Sequence, residues 1–157
     1  MNEHTPIETN SPRPMRQEQE PASKEITEVA KGIYRFQLPI SMPGLGHVNC
    51  YALEDSKGLS LVDPGLPGNE SWNALESRLK DLGTNFNHVH TTIVTHSHVD
   101  HYGGVHRLRD EYDVEVLTHS SFSSVFGNDD IMENPDAASL DLADDEDIEK
   151  LREMLSR

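Results

Sequence analysis

The sequence predicts an α+β fold in which helices cover a β-sheet. The first observation is a series of short apolar runs, at residues 33–38, 48–53 and 59–62, that are typical of strands. The second is an amphipathic helical pattern at residues 70–82, which suits a helix that covers a sheet. The third is a dense run of histidine and aspartate directly after another apolar strand, at residues 91–94. Together these features predict one sheet-based domain with a polar site at the end of a strand.

Three regions are predicted along the 157-residue chain, which is long enough for one ordinary domain. Residues 1–25 carry several prolines among glutamate, glutamine, threonine and serine. Such a segment buries too little apolar surface to offset the entropy of ordering it. We therefore expect a disordered polar tail at residues 1–25, a folded domain at 26–127, and an acidic loop with a C-terminal helix at 128–157.

Turn residues separate the first strands. Residues 39–46 are rich in proline and glycine and are predicted to form a loop, whereas residues 55–58 have the composition of a hairpin turn. Cys50 lies inside the apolar run between these turns, so we expect a small core residue rather than a nucleophile. It is the chain's single cysteine, which excludes an intrachain disulfide.

The first helix is predicted at residues 70–82, with Asn69 as its N-cap and Gly83 as its C-terminal stop. Its apolar positions recur at three- and four-residue steps and would form one buried face. They are Trp72, Leu75, Leu79 and Leu82. Further along, we predict a helix at residues 105–112, a strand at 114–118 and a short helix that begins near residue 120.

The histidine-rich stretch contains His96, His98, Asp100 and His101 within six positions. Imidazole nitrogen and carboxylate oxygen are ligands that Zn²⁺ and other borderline first-row metals prefer. His96 and His98 are two positions apart, so they can project together from a turn at the end of a strand. The pattern predicts a metal site, and the alternative interpretation is a polar surface loop that binds no metal.

The spacing His-x-His-x-Asp-His resembles the signature of the metallo-β-lactamase superfamily of metal-dependent hydrolases. The preceding apolar strand and the following Gly103-Gly104 pair, which we expect to turn the backbone tightly beside the metals, occur where that family has them. The His-Val-Asn-Cys-Tyr and Leu-Val-Asp-Pro-Gly stretches also resemble the superfamily. The resemblance covers residues 26–119 and corresponds to the first half of an αββα sandwich, in which two mixed sheets are faced by helices.

This resemblance implies roles for individual residues. His96 and His98 would hold a first ion, while Asp100 and His101 would hold a second. Asp100 would also accept or orient the proton of a water between the ions. Asp63 would lie behind these ligands and support the loops that carry them, as metal sites generally require. The implied cofactor is Zn²⁺, as one or two ions, with iron or manganese as alternatives.

The remaining histidines are expected to lie outside the metal site. His119 ends a strand much as His96 does, so it is predicted to be a pocket residue. His88 and His90 lie six to eight residues before His96, which at about 3.3 Å per residue is roughly 20 Å away, and we expect both on the surface. His106 is expected to be solvated.

The second half of the superfamily's fold normally supplies a third histidine for the first ion, a bridging aspartate and a last histidine for the second ion. No histidine follows His119 in this sequence. We therefore expect a partial or truncated member that binds metal weakly and leaves one apolar sheet face exposed, because a catalytic zinc normally needs three protein ligands.

The chain is strongly acidic, with a formal net charge of −15 and a pI of about 4.8. This charge disfavours nucleic acid and anionic membrane surfaces as partners, because both require a basic face. The sequence shows neither a signal-peptide pattern nor an apolar run of membrane-spanning length. We expect a cytoplasmic protein with a small-molecule substrate.

Three functions remain open at this point. The first is a metal-dependent hydrolase that uses a metal-activated water on a small ester, thioester or lactone, as glyoxalase II does. The second is a mononuclear iron oxidoreductase that resembles the superfamily's persulfide dioxygenases, which share the motif. The third is a catalytically incomplete fragment that acts only as a binding module.

Overall fold

The computed structural model describes residues 16–42 and 44–123. A single six-stranded sheet in the order β1-β2-β3-β4-β5-β6 forms its framework. The strands are β1 (Thr27–Ala30), β2 (Ile33–Met42), β3 (Leu45–Asp55), β4 (Gly58–Val62), β5 (Val89–Ile93) and β6 (Glu115–Leu117). The helices are α1 (Asn69–Asp81), α2 (Val99–Tyr102) and α3 (Val105–Tyr112), with short 3₁₀ segments at Gln17–Gln19 and Phe86–His88.

The sheet is mixed, as the sequence predicted. Strands β1 to β4 pair with their neighbours in antiparallel fashion through tight hairpins. Strands β4, β5 and β6 are parallel, with α1 and α3 in the two connections. The carboxyl ends of β4, β5 and β6 therefore lie at the same edge of the sheet.

One face of the sheet forms the core with α1 and α3. Alternate residues of the strands point into this layer, because successive side chains of a strand point to opposite faces. The most buried contributors from the sheet are Phe36, Leu38, Cys50, Ala52 and Leu61. From the helices, the most buried are Leu75, Leu79 and Leu108. Burial raises the pKa of the Cys50 thiol, and its buried position confirms the prediction of a core residue.

Aromatic rings join the two longer helices. Trp72 of α1 stacks on Phe86 with ring centroids 4.3 Å apart, and Phe86 contacts Tyr112 of α3 at 5.0 Å. The Arg107 guanidinium lies 4.2 Å from the centroid of the Trp72 ring. These contacts fix α1 and α3 beside each other on one side of the sheet.

The opposite face of the sheet carries a row of side chains in register. Tyr51 pairs with Val62, Val62 with Ile93, and Ile93 with Leu117. We call these four residues the apolar row. Leu117 is 55% exposed and the other three are partly exposed, so the described residues do not fully cover this row.

Three local predictions of secondary structure were wrong. Residues 39–46 were expected to form a loop, but β2 continues through Pro39 to Met42 and β3 begins at Leu45. The strand accommodates Pro39, which has no N–H to donate, at a register irregularity between Pro39 and Met42. Tertiary pairing with β3 thus overrides the local turn composition.

The second error concerns the start of α1. Gly68, with a φ of 105°, occupies the N-cap position, and Asn69 is already the first helical residue. The Asn69 amide oxygen accepts a hydrogen bond from Arg107 Nη1 at 3.4 Å, so it contributes to the contact between α1 and α3.

The third error concerns residues 120–123, which were expected to begin a helix and are not helical. The acidic loop and C-terminal helix predicted at 128–157 lie outside the described residues.

The described part of the N-terminal segment crosses the start of β3 and contacts α1. Arg78 Nη2 donates to the Ser23 carbonyl oxygen at 3.1 Å, and His47 Nδ1 donates to the Glu20 carbonyl oxygen at 2.7 Å. Residues 16–25 are therefore joined to the domain by specific hydrogen bonds.

Among the residues the structure describes, no helix has the length and apolar character needed to cross a membrane.

Candidate metal centre

The motif residues gather at the edge of the sheet where the parallel strands end. Asp63 directly follows β4, and its backbone N–H donates to the Ile93 carbonyl oxygen at 2.9 Å. Thr95 and His96 follow β5 after one intervening residue. The single turn of α2 then carries Asp100 and His101 back toward Asp63. Because β4 and β5 are parallel neighbours, this geometry follows from the sheet topology.

Three side chains come together most closely. Asp63, His96 and His101 each offer a ligand-type atom, and these atoms all lie within 4.8 Å of one another. The ring centroids of His96 and His101 are 4.0 Å apart, and His98 lies beside His96 at 4.6 Å. The nitrogen and oxygen donor set fits Zn²⁺ and similar first-row ions. The group thus contains two of the predicted ligands, His96 and His101, together with Asp63, which was expected only to support them. The other two predicted ligands, His98 and Asp100, lie beside it.

Asp63 is the most buried member of this group, with 5% of its surface exposed. Its φ of 56° lies in the left-handed region, which turns the chain sharply after β4. Its Oδ1 accepts the Thr95 backbone N–H at 2.9 Å, and its Oδ2 accepts the Thr95 hydroxyl at 2.7 Å and His101 Nδ1 at 2.9 Å. Burial alone would raise the pKa of Asp63, but hydrogen bonds from His101 and Thr95 outweigh it and lower that pKa.

His101 has a carboxylate on each side. Its Nδ1 donates to Asp63, while its Nε2 lies 3.4 Å from Oδ2 of Asp100, which is itself 9% exposed. Burial opposes protonation, yet the hydrogen bond to Asp63 and the charge of Asp100 raise the pKa of His101 above its usual value. The pair Asp100 and His101 thus has adjacent oxygen and nitrogen donors, as the predicted second ion would require.

His96 and His98 are more exposed than His101. Partial burial and then the neighbouring charges of His101 and His98 lower the pKa of His96. A lowered pKa favours the neutral imidazole, which is the form that binds a metal. His98 occupies the N-cap position of α2, so its backbone marks the point where the loop becomes helical.

The Gly103-Gly104 pair serves a different purpose from the one predicted. Both residues have ordinary negative φ angles, −60° and −77°, so neither supplies a conformation that only glycine adopts. A Cβ on Gly103 would collide with Pro67, and one on Gly104 would lie 2.5 Å from the Pro64 carbonyl oxygen. The glycines therefore allow the loop after Asp63 to pack directly on the start of α3.

The other histidines are distributed as follows. His119 follows β6 at the same edge as the motif, since Ile93 pairs with Leu117, and its Nδ1 lies 2.6 Å from Ser121 Oγ. His90 contacts the Asp55 carboxylate at 3.2 Å near the start of β5, away from the motif, and His88 is exposed. In residues 16–42 and 44–123, Asp63, His96 and His101 form the one group of three or more metal-ligand side chains.

Sequence reasoning missed Thr95. Its backbone N–H and hydroxyl both bond to Asp63, and its hydroxyl oxygen also lies 2.9 Å from His96 Nδ1. The position of Thr95 in the sequence could have indicated this role. A hydroxyl side chain between a buried strand and the first histidine can contact both the end of the strand and the histidine ring. Spacing alone could not show that Asp63 would lie opposite it.

The fold and this site define a class of protein. The family model of the Metallo-beta-lactamase superfamily matches residues 43–154, which is most of the chain. The chain therefore belongs to the metallo-β-lactamase superfamily. The mixed sheet with helices packed on one face corresponds to part of that fold.

Individual relatives match over part of their length. Uncharacterized protein YobT of Bacillus subtilis (strain 168) is 35% identical over 66 residues, which are 42% of this chain and 26% of YobT. A metallo-beta-lactamase family protein of Thermus thermophilus is 37% identical, with a TM-score of 0.49, over 52% of this chain and 27% of its own. MEM-A1, a subclass B3 metallo-beta-lactamase from a soil metagenome library, is 24% identical, with a TM-score of 0.51, over 69% of this chain and 35% of its own. The chain thus spans about a quarter to a third of the length of these relatives.

Proposed function

We propose that this chain contributes the metal-binding part of a hydrolytic centre for small ester, thioester or lactone substrates. The observation that carries the proposal is the cluster of His96, His98 and His101 rings at one sheet edge. Asp100 and Asp63 lie on the two sides of the His101 ring, 3.4 Å from its Nε2 and 2.9 Å from its Nδ1. Membership of a superfamily that contains named β-lactamases supports hydrolysis of an acyl group. A thioester of the glyoxalase II type is the first substrate class to test.

The proposed division of labour follows the donor atoms. His96 and His98 would hold one ion, and Asp100 and His101 a second, while the hydrogen bonds that Asp63 accepts orient the loop residues. When bound, Zn²⁺ would supply an acidified water and an electrophilic contact for the scissile carbonyl. Asp100, buried beside His101 Nε2, is placed to accept or orient a proton there. The acidic surface favours a small-molecule substrate over a polyanion.

The test combines metal binding with hydrolysis. Calorimetric titration of the 157-residue chain with Zn²⁺, Mn²⁺ and Fe²⁺ would identify the ion, and a panel of thioesters, lactones and esters would be assayed with and without chelator. We expect weak Zn²⁺ binding, because the described residues give each ion only two of the three protein ligands that a catalytic zinc normally has. Chelator-sensitive hydrolysis, lost in Asp100→Asn and retained in Asp55→Asn, would support the proposal.

Other outcomes would contradict it. Hydrolysis that persists after complete metal removal would exclude the proposed chemistry. Oxygen uptake with bound iron and no hydrolysis would instead favour the persulfide dioxygenase type. Metal binding without turnover of any substrate would favour a binding module, an outcome consistent with a chain that covers 26% to 35% of its relatives.

A further inference from the structure

We propose that Thr95 is a positioning residue that lets the Asp63 carboxylate, which bonds to His101 directly, also fix the ring tautomer of His96. The inference rests on the proposed metal-binding role of the two imidazoles. It assigns a function to a hydroxyl that is not itself a metal ligand.

The hydrogen bonds at Asp63 determine where the protons of its partners lie. An ionised carboxylate only accepts hydrogen bonds, so each partner of Oδ2 must donate to it. His101 therefore carries a proton on Nδ1, which lies 2.9 Å from Oδ2. The Thr95 hydroxyl likewise directs its proton to Oδ2, at 2.7 Å.

A threonine hydroxyl has one proton, and here Asp63 takes it. The contact of 2.9 Å between Thr95 Oγ1 and His96 Nδ1 must then run the other way, with Nδ1–H as donor and Oγ1 as acceptor. The three hydrogen bonds form one chain that leads from His96 through Thr95 to Asp63, where His101 joins it. The donor and acceptor of each hydrogen bond are thus determined by the preceding bond in this series.

The consequence concerns the opposite ring atoms. With Nδ1 holding a proton in both rings, Nε2 is the atom through which each neutral ring would bind a metal. In His101 this atom lies 3.4 Å from Oδ2 of Asp100, the residue proposed to hold the same ion. Partners of this kind commonly orient metal-bound histidines, and their loss typically reduces metal affinity about 10- to 100-fold. Thr95 thereby extends the influence of a buried carboxylate to an exposed histidine.

The experiment compares Thr95→Val with Thr95→Ser in the 157-residue chain. Valine has the shape of threonine without the hydroxyl, whereas serine keeps the hydroxyl. In both variants the backbone N–H of residue 95 can still donate to Asp63 Oδ1, so the sheet edge stays anchored. If the valine variant does not fold, Thr95→Ala provides the same comparison, since Thr95 is exposed.

Two readouts decide the matter. Long-range ¹H–¹⁵N NMR of the metal-free protein should show Nδ1–H on both rings in wild type and Thr95→Ser. In Thr95→Val, His96 should become a mixture of tautomers while His101 keeps Nδ1–H. Competition with a chromophoric chelator should show Zn²⁺ affinity reduced about 10- to 100-fold in Thr95→Val and nearly unchanged in Thr95→Ser.

A His96 ring that keeps Nδ1–H in Thr95→Val would overturn the inference, as would Thr95→Val with wild-type Zn²⁺ affinity. The tautomers are measured without metal or substrate. If wild type binds no Zn²⁺ or hydrolyses nothing, the proposed function fails, and the NMR comparison still decides whether Thr95 links Asp63 to His96.

Discussion

Asp63 is the buried carboxylate to which the neighbouring polar groups of the candidate metal centre donate hydrogen bonds. Its two oxygens accept three hydrogen bonds, from the backbone and hydroxyl of Thr95 and from His101. The resulting pKa shifts have opposite signs, lowered for Asp63 and raised for His101, as expected for two groups that stabilise each other's charged form. Stability should therefore depend on pH through this pair.

The raised pKa of His101 determines whether its contribution to stability increases or decreases with pH. A histidine with a raised folded-state pKa contributes stability that is fully present below the unfolded pKa of 6.5 and is lost as the pH rises through the folded value. Asp63, whose pKa is lowered, stays ionised throughout this range and remains the acceptor. The contribution should thus be largest in mildly acidic solution.

We predict that His101→Gln, in the metal-free chain, loses most stability relative to wild type at about pH 5.5 and progressively less toward about pH 8. Urea unfolding at several pH values would measure the difference. His90→Gln is the matched control, because His90 contacts an exposed carboxylate, and exposed pairs contribute about 0–1 kcal/mol. A His101→Gln difference that stays constant or grows with pH would contradict the assignment.

At the residue level, the sequence could indicate candidate ligands but not the residues that contact them. The His-x-His-x-Asp-His spacing is local, so His96, His98, Asp100 and His101 could be singled out from it. Thr95 acquires its role only because β4 lies parallel to β5 and ends at Asp63, and that pairing joins residues 32 positions apart. A long-range contact of this kind leaves no local pattern in the sequence.

The secondary-structure elements that the sequence predicted correctly are those determined by nearby residues, whereas an element determined by long-range pairing was missed. The helix at Val105–Tyr112 and the hairpin turn after β3 were predicted correctly, because their signals are complete within a few residues. The turn is held by Asp55 Oδ1, which accepts the backbone N–H groups of Lys57 and Gly58. The extension of β2 through Pro39 was not predicted, because only pairing with β3 favours it.

The packing between the loop after Asp63 and the start of α3 offers a test at the level of elements. In Gly104→Ala the new Cβ would lie 2.5 Å from the Pro64 carbonyl oxygen and 3.2 Å from the Pro64 Cβ. The Gly104 N–H also donates to the Gly65 carbonyl oxygen at 3.1 Å, so the backbones cannot separate without losing a hydrogen bond. We predict a loss of about 1–3 kcal/mol in unfolding free energy, as for other overpacked sites.

Urea denaturation would measure that loss. Ser77→Ala at an exposed position of α1 is the control and should stay within about 0.5 kcal/mol of wild type. If Gly104→Ala were as stable as wild type, the close approach of the two segments would not be what requires glycine there.

For the whole molecule, the decisive feature is the asymmetry between the two faces of the sheet. One face packs on α1 and α3, whereas the other presents the apolar row of Tyr51, Val62, Ile93 and Leu117. The partial extent of the resemblance led us to expect an exposed apolar sheet face. Which residues form it depends on the strand register, which a sequence without its pairing partners does not specify.

The apolar row should make the 157-residue chain associate with itself in solution. Fully burying an exposed leucine contributes about 1.5–3 kcal/mol. Leu117 retains much of this surface to bury, whereas the other three residues of the row are already partly buried. Leu117 is the most accessible of them, and a carboxylate there would have to lose its hydration in any contact with this face. We predict that Leu117→Glu weakens self-association at least about 10-fold, which corresponds to about 1.4 kcal/mol.

Sedimentation velocity over a range of concentrations would measure this shift, with circular dichroism to verify the fold. Val29→Glu is the matched control, because Val29 is 49% exposed but lies on β1, outside the row, and its effect should be under about twofold. Equal effects of the two substitutions, or a wild-type chain that remains monomeric at high concentration, would show that the row does not drive association.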